Sequence, residues 1–167
     1  KNALIIGGGR GIGRAVCIRL AKEGYYTLIN YRQNTQEAQK TLYEIESNGG
    51  TGKLVQFDIT NRTKTQQELT SILKDTTLNA LVFSAGIRRD ELLVFMSEDK
   101  WDTVLNTNLI SFYSVVKPVV KQMLLAREGR IVVISSTSGQ SGLPGQVHYS
   151  ASKAGLIGAV KALALEC

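Results

Sequence analysis

Short apolar runs alternate with longer amphipathic stretches along most of the chain. Ala3-Leu4-Ile5-Ile6 is apolar without alternation, the pattern of a strand buried on both faces, and it ends in glycines. Helical spacing follows from Ile12 to about Lys22 and stops at Gly24. The pattern then predicts a strand over Tyr26–Tyr31 and a helix over Glu37–Glu46, ended by Asn48-Gly49-Gly50. A strand over Lys53–Phe57, a helix over Arg62–Leu73 and a strand over Asn79–Phe83 come next. A long helix runs from about Lys100 to Leu125, interrupted only by Pro118. Arg130–Ser135 is a fifth strand, and the spacing from His148 to the end is helical again. Strands alternating with helices predict βαβ units, and hence a Rossmann-type α/β fold, a doubly wound parallel sheet with helices on both faces. No linker or repeat divides residues 1–167, which read as a single domain long enough to bury a core.

Composition narrows the class. Hydrophobic residues make up 43% and charged residues 20%, as in ordinary soluble chains. No run approaches the roughly 18 consecutive apolar residues of a membrane span, and no signal peptide is visible. Two cysteines, Cys17 and Cys167, form neither a disulfide framework nor a metal-ligand pattern, so a reducing cytoplasm is the expected location. The net charge of +6 fits either an anionic partner or a basic solvated surface, and no basic run indicates nucleic-acid binding.

The first chemical signal is Gly7-Gly8-Gly9-Arg10-Gly11-Ile12-Gly13, at the passage from the first strand to the first helix. Glycine there permits unusual backbone angles and close approach of a pyrophosphate, and the helix start offers unpaired N–H groups. Tight strand-to-helix turns also recruit glycine for packing alone. The second strand ends Asn30-Tyr31-Arg32 without the carboxylate that would hold the ribose hydroxyls of NAD. Arg10 and Arg32 are placed instead to grip a 2′-phosphate with planar donor forks, which favours NADP(H). Two solvated arginines are the plainer alternative.

With its downstream motifs the whole chain resembles the classical short-chain dehydrogenase/reductases. Within that family it is most similar to reductases of 3-oxoacyl groups on acyl carrier protein. The family's G-x-x-x-G-x-G falls on Gly7, Gly11 and Gly13, and its adenine-contacting aspartate on Asp58 in Phe57-Asp58-Ile59-Thr60. Its N-N-A-G turn appears as Phe83-Ser84-Ala85-Gly86, with both asparagines replaced. The resemblance thus implies a cofactor surface made of the glycine turn with Arg10 and Ile12, then Tyr31, Arg32, Asp58, Ile59, Ser84, Ala85 and Gly86. The catalytic asparagine matches Asn108, the serine Ser136 (chosen over Ser135 by its spacing to the tyrosine), and the Y-x-x-x-K pair Tyr149 and Lys153. Family members continue beyond this last helix, so the segment is expected to be incomplete at its C-terminus.

Tyr149 and Lys153, four apart, share one helix face. A free tyrosine titrates near pH 10, and an ammonium nearby stabilises its phenolate, which would tune it as general acid and base. Ser136, at a strand's C-terminal end, can donate to a carbonyl oxygen that gains charge. The resemblance implies that Lys153 also holds the nicotinamide ribose, and that Asn108 bends its helix and holds a water linking Lys153 to solvent. Taken singly, a Tyr–Lys spacing is usually a solvated helix face, and a serine after a strand a turn residue. His148 points about 100° from Tyr149 on the helix and reads as structural or pocket-lining.

The expected reaction is NADPH-dependent reduction of a 3-oxoacyl thioester, its carrier protein acidic and docked on Arg127, Arg130, Arg88 or Arg89. The alternatives are another ketone (a coenzyme A thioester, sugar or steroid) or a nucleotide-sensing protein without turnover. Homo-oligomerisation is expected through the Lys100–Leu125 helix and the last helix, whose Ala151, Ala154, Gly155, Gly158, Ala159 and Ala162 allow close approach. Packing of these small residues on their own sheet is the alternative.

Overall fold

The structure, a computed structural model, describes residues 1–167. Five strands, β1 Asn2–Ile6, β2 Tyr26–Tyr31, β3 Thr51–Gln56, β4 Ala80–Phe83 and β5 Arg130–Val133, form one parallel sheet in the order β3-β2-β1-β4-β5. In the register, Ile5 stands beside Ile29 on one side and Val82 on the other. The fold class is the one the pattern predicts, and strand order reverses between β1 and β4. Crevices at such a reversal, outside the C-terminal strand ends, are where open α/β sheets bind ligands.

Side chains alternate across the sheet and divide the core in two. Leu4, Ile6, Leu28, Leu81 and Phe83 pack with α3 (Arg62–Asp75) and α5 (Ser111–Ala126). Ala3, Ile5, Ile29 and Val82 face α1 (Gly11–Lys22) and α2 (Thr35–Ser47). The helix α2 starts before the predicted Glu37 because the Asn34 side chain accepts from Glu37 N at 3.1 Å, capping the first turn.

The long helix departs from its prediction. It starts at α4, Glu98–Leu105, capped by Ser97, and continues through Asn106–Ile110 into α5. Pro118 does not interrupt it. A proline inside a helix costs about 3 kcal/mol, whereas Val115, Val116 and Val119 around it are buried, each worth roughly 1.5–3 kcal/mol. The irregularity lies instead at Asn106–Ile110, one widened π turn. The continuous helix Glu98–Ala126 is long and apolar enough to cross a membrane, but Val104, Val115, Val116, Val119 and Met123 on it are buried in the fold.

After β5 come a single turn, α6 (Ser138–Ser141), and the last helix, α7 (Val147–Glu166). Gly139 of α6 lies so close to α7 that a Cβ there would strike the Lys153 main chain. Gly155 packs against Leu109 of the π turn, while Ala151, Ala154, Gly158 and Ala162 are exposed.

Candidate active site

The glycine turn is built for contact with backbone. Gly7 has φ +78° and lies under Ala85, and a Cβ on Gly13 would run into the Gly7 carbonyl. No side chain caps α1 and its first turn carries no acid, which leaves helix-start N–H groups free for an anion. From beneath, buried Asn30 accepts from Gly7 N at 3.4 Å and donates to Val55 O at 3.3 Å and Phe57 O at 3.1 Å. Arg14 donates to Gly9 O at 3.0 Å, to Glu37 O at 2.9 Å and to the Thr41 hydroxyl at 2.9 Å. It thereby ties the turn to α2. Cys17 lies below the turn, where burial pushes its thiol up to about 12 and leaves no thiolate at neutral pH.

A cleft of about 510 Å³ opens above these supports. Gly7, Arg10, Gly11, Ile12 and Gly13 line it from the turn, Tyr31 and Arg32 from the end of β2, Asp58 and Ile59 from the end of β3, and Ser84, Ala85 and Gly86 from the end of β4. All the glycine-turn and strand-end positions of the sequence reading therefore face one space. Arg10 and Arg32 are exposed, with Arg32 Nε 3.7 Å from Asp58 Oδ2. The other oxygen of Asp58 accepts from Thr60 N at 2.9 Å and from the Thr60 hydroxyl at 2.8 Å, which fixes the carboxylate.

The other end of the site is assembled from four elements. Asn108 of the π turn is fully buried, accepts from Ile87 N at 2.8 Å and donates to Ile87 O at 3.0 Å. Its amide also donates to Ser152 Oγ at 3.1 Å, and Ser152 donates to Tyr149 O at 2.7 Å. Asn108 thus joins the segment after β4 to α7, and the widened turn sits where its side chain is pulled inward. Lys153 is 4% exposed, and its ammonium donates to Ile134 O at 2.8 Å. Its main-chain oxygen accepts from Ser135 Oγ at 2.9 Å, so two bonds pin the end of β5 to α7.

Burial disfavours the charged form of Lys153 and lowers its pKa. A Cβ on Gly86 would stand 3.3 Å from the Lys153 ammonium and 3.5 Å from Asn108 Oδ1, so Gly86, Asn108 and Lys153 meet at one point. The ammonium is 5.8 Å from the centre of the Tyr149 ring. Tyr149 is half-buried, and none of the bonds that hold this end uses its hydroxyl. Ser136 Oγ accepts from Ser138 N at 3.1 Å, which starts α6 and leaves its own proton to give.

His148 is structural. It is fully buried and parallel to Trp101 (ring centres 6.5 Å apart), with Nε2 3.1 Å from Arg89 O. A carbonyl only accepts, so the ring carries its proton on Nε2. Sequence reasoning missed Asn30, Arg14, Glu37 and Thr107, which hold the turn or line the cleft. Asn30 had a signal, a polar residue inside the apolar run Leu28-Ile29. The others depend on contacts between distant segments.

The family model for short chain dehydrogenase matches residues 1–167. The 3-oxoacyl-[acyl-carrier-protein] reductase FabG of Aggregatibacter actinomycetemcomitans is 41% identical, the match covering 99% of this chain and 69% of that protein. The same-named protein of Staphylococcus aureus is 37% identical over 99% of this chain and 68% of its own length. The 3-oxoacyl-[acyl-carrier-protein] reductase of Synechocystis is 40% identical, with 98% and 67% covered.

Proposed function

The chain belongs to the short chain dehydrogenase family, and from that premise we propose that it is an NADPH-dependent reductase of 3-oxoacyl thioesters carried on acyl carrier protein. The observation that carries this reading is the meeting of Lys153, Asn108 and Gly86 beside a tyrosine whose hydroxyl is free, at the end of a cleft lined by the glycine turn. The names of the relatives supply the thioester and its carrier.

The residues fit a dinucleotide. The space over Gly7 and Gly13 and the uncapped start of α1 would take the pyrophosphate. Asp58 and Ile59 would hold the adenine, and Arg10 and Arg32 the 2′-phosphate, with Ser84–Gly86 and Lys153 toward the nicotinamide. Bound there, the cofactor supplies a hydride to the carbonyl carbon. Ser136 donates a hydrogen bond to the carbonyl oxygen as negative charge develops, and Tyr149 gives that oxygen its proton. The charge on Lys153, held in place by Ile134 O, favours the phenolate that Tyr149 leaves behind. Asn108 keeps the segment after β4 seated against α7.

An acidic carrier fits the excess of basic side chains. Arg88 and Arg89 follow β4 on the cleft side of the sheet, whereas Arg127 and Arg130 flank the start of β5 at the opposite edge. The first pair therefore lies nearer the reacting end. The test is NADPH and NADH consumption by the full-length protein given acetoacetyl-carrier protein or acetoacetyl coenzyme A. NADPH-selective turnover, faster on the carrier and abolished by Tyr149→Phe, is the expected result. Cofactor binding without turnover of either thioester would overturn the substrate, and leave another ketone or a sensing role.

A further inference from the structure

Two carboxylates, Asp58 and Glu37, line the cleft that Arg10 and Arg32 share. Asp58 is engaged by Thr60 and faces Arg32. Glu37 stands in the first turn of α2, just past the cleft residues Gln33 and Asn34. A bare carboxylate there would repel a 2′-phosphate at low ionic strength, by the same physics that makes an acid after the second strand select NAD. Glu37 is not bare. Arg14 donates to its Oε2 at 2.7 Å and Lys40 to its Oε1 at 2.6 Å, so each oxygen has its own cation.

The geometry points to Arg14 and Lys40 as selectivity-determining residues: by closing both oxygens of Glu37 they remove an anionic charge from the adenosine end of the cleft and so admit a 2′-phosphorylated dinucleotide beside Arg10 and Arg32. This inference rests on the assignment of NADPH above. The two cations differ in their other duties. Arg14 also holds Gly9 O and Thr41, so it sets the shape of the turn as well as the charge. Lys40 is largely exposed, and its one ion pair is with Glu37. The pairing holds the Glu37 carboxyl below the ordinary carboxylate range, first through Lys40 and then through Arg14. Glu37 therefore stays ionised at neutral pH, and its charge is balanced by its partners.

The experiment titrates NADPH and NADH into wild-type protein, Lys40→Gln and the double variant Lys40→Gln/Glu37→Gln, following cofactor fluorescence at low salt. Lys40→Gln is expected to weaken NADPH binding about three- to tenfold and NADH binding less than about twofold, as one uncovered surface charge does. Raising salt should shrink that loss. The double variant should return NADPH affinity to the wild-type value, because the carboxylate is gone with its screen. An unchanged NADPH affinity in Lys40→Gln, or an equal loss for both cofactors, would overturn the inference. So would a loss that persists in the double variant, since Lys40 would then touch the phosphate itself. A wild-type preference for NADH would defeat the NADPH assignment separately. Screening of Glu37 would then stand only if Lys40→Gln moved the ratio further toward NADH.

Discussion

The chain contains two tyrosine–lysine pairs at the same helical spacing, Tyr113–Lys117 on α5 and Tyr149–Lys153 on α7, and the fold puts them to opposite use. On α5 both side chains are exposed, and the Lys117 ammonium closes on the Tyr113 hydroxyl at 2.7 Å. That bond holds the Tyr113 phenol below its usual 10.0. On α7 the lysine is buried and turns to a carbonyl at the end of β5, which leaves the tyrosine hydroxyl open. Spacing makes two side chains neighbours, and the surroundings decide whether they satisfy each other or a third group. In water Lys117 has no better partner than the phenol. In the site Lys153 has Ile134 O.

The largest separation between the pairs should appear in turnover. Tyr149→Phe should remove the proposed proton donor, a loss of about a hundred- to ten-thousandfold, whereas Tyr113→Phe should leave steady-state turnover within about twofold. Equal losses would mean that α5 takes part in the chemistry.

The next effect is on stability. Asn108→Ala strips partners from the half-buried N–H and C=O of Ile87, for which the roughly 1–3 kcal/mol of a fully buried unpaired group is an upper bound. Urea unfolding should show a lower midpoint, and Ser114→Ala on α5 should shift it little. An Asn108→Ala protein as stable as wild type would mean that the widened turn is not held by this side chain.

Dependence on pH gives a third, smaller effect. The proposed mechanism needs a charged Lys153, and burial lowers its pKa, so kcat should fall as pH rises through a value under the usual 10.5. Stability moves the other way. Between the lowered pKa and 10.5 the unfolded chain binds more protons, so the penalty of burying this group fades as pH rises through that window. A pH–rate profile and a denaturation series at the same pH values would separate the two.

The smallest signal is spectroscopic. In an alkaline absorbance titration Tyr113→Phe should remove an early-ionising phenol, and Lys117→Met should move that phenol later. No change in either variant would mean that the α5 pair is open in solution.

Most of the sheet was legible because β1, β2, β4 and β5 each carry an apolar run, and Ile5 or Leu81 needs no distant partner to declare itself buried. The glycine turn was read from its place after the first strand, and Asp58, Ser84–Gly86 and the Asn108–Ser136–Tyr149–Lys153 series were assigned as what the family resemblance implies. The helical pattern put an interruption at Pro118, where there is none, whereas the family resemblance put a bend at Asn108, and the widened turn Asn106–Ile110 contains that residue. What the sequence does not show is the partner, since Asn108 reaches Ile87 across 21 residues.

The order of strands and the main helices and the glycine turn were determined by the sequence alone, since periodicity and glycine placement are local properties, while the candidate side chains were named through the family resemblance. Tertiary structure decided which tyrosine keeps a free hydroxyl, how Lys153 is oriented and which arginine meets Glu37. Those outcomes rest on bonds between separated segments, such as Lys153 to Ile134 across 19 residues and Arg14 to Glu37 across 23. Only a folded chain brings such partners together, and around buried Lys153 it also removes the water that would otherwise compete.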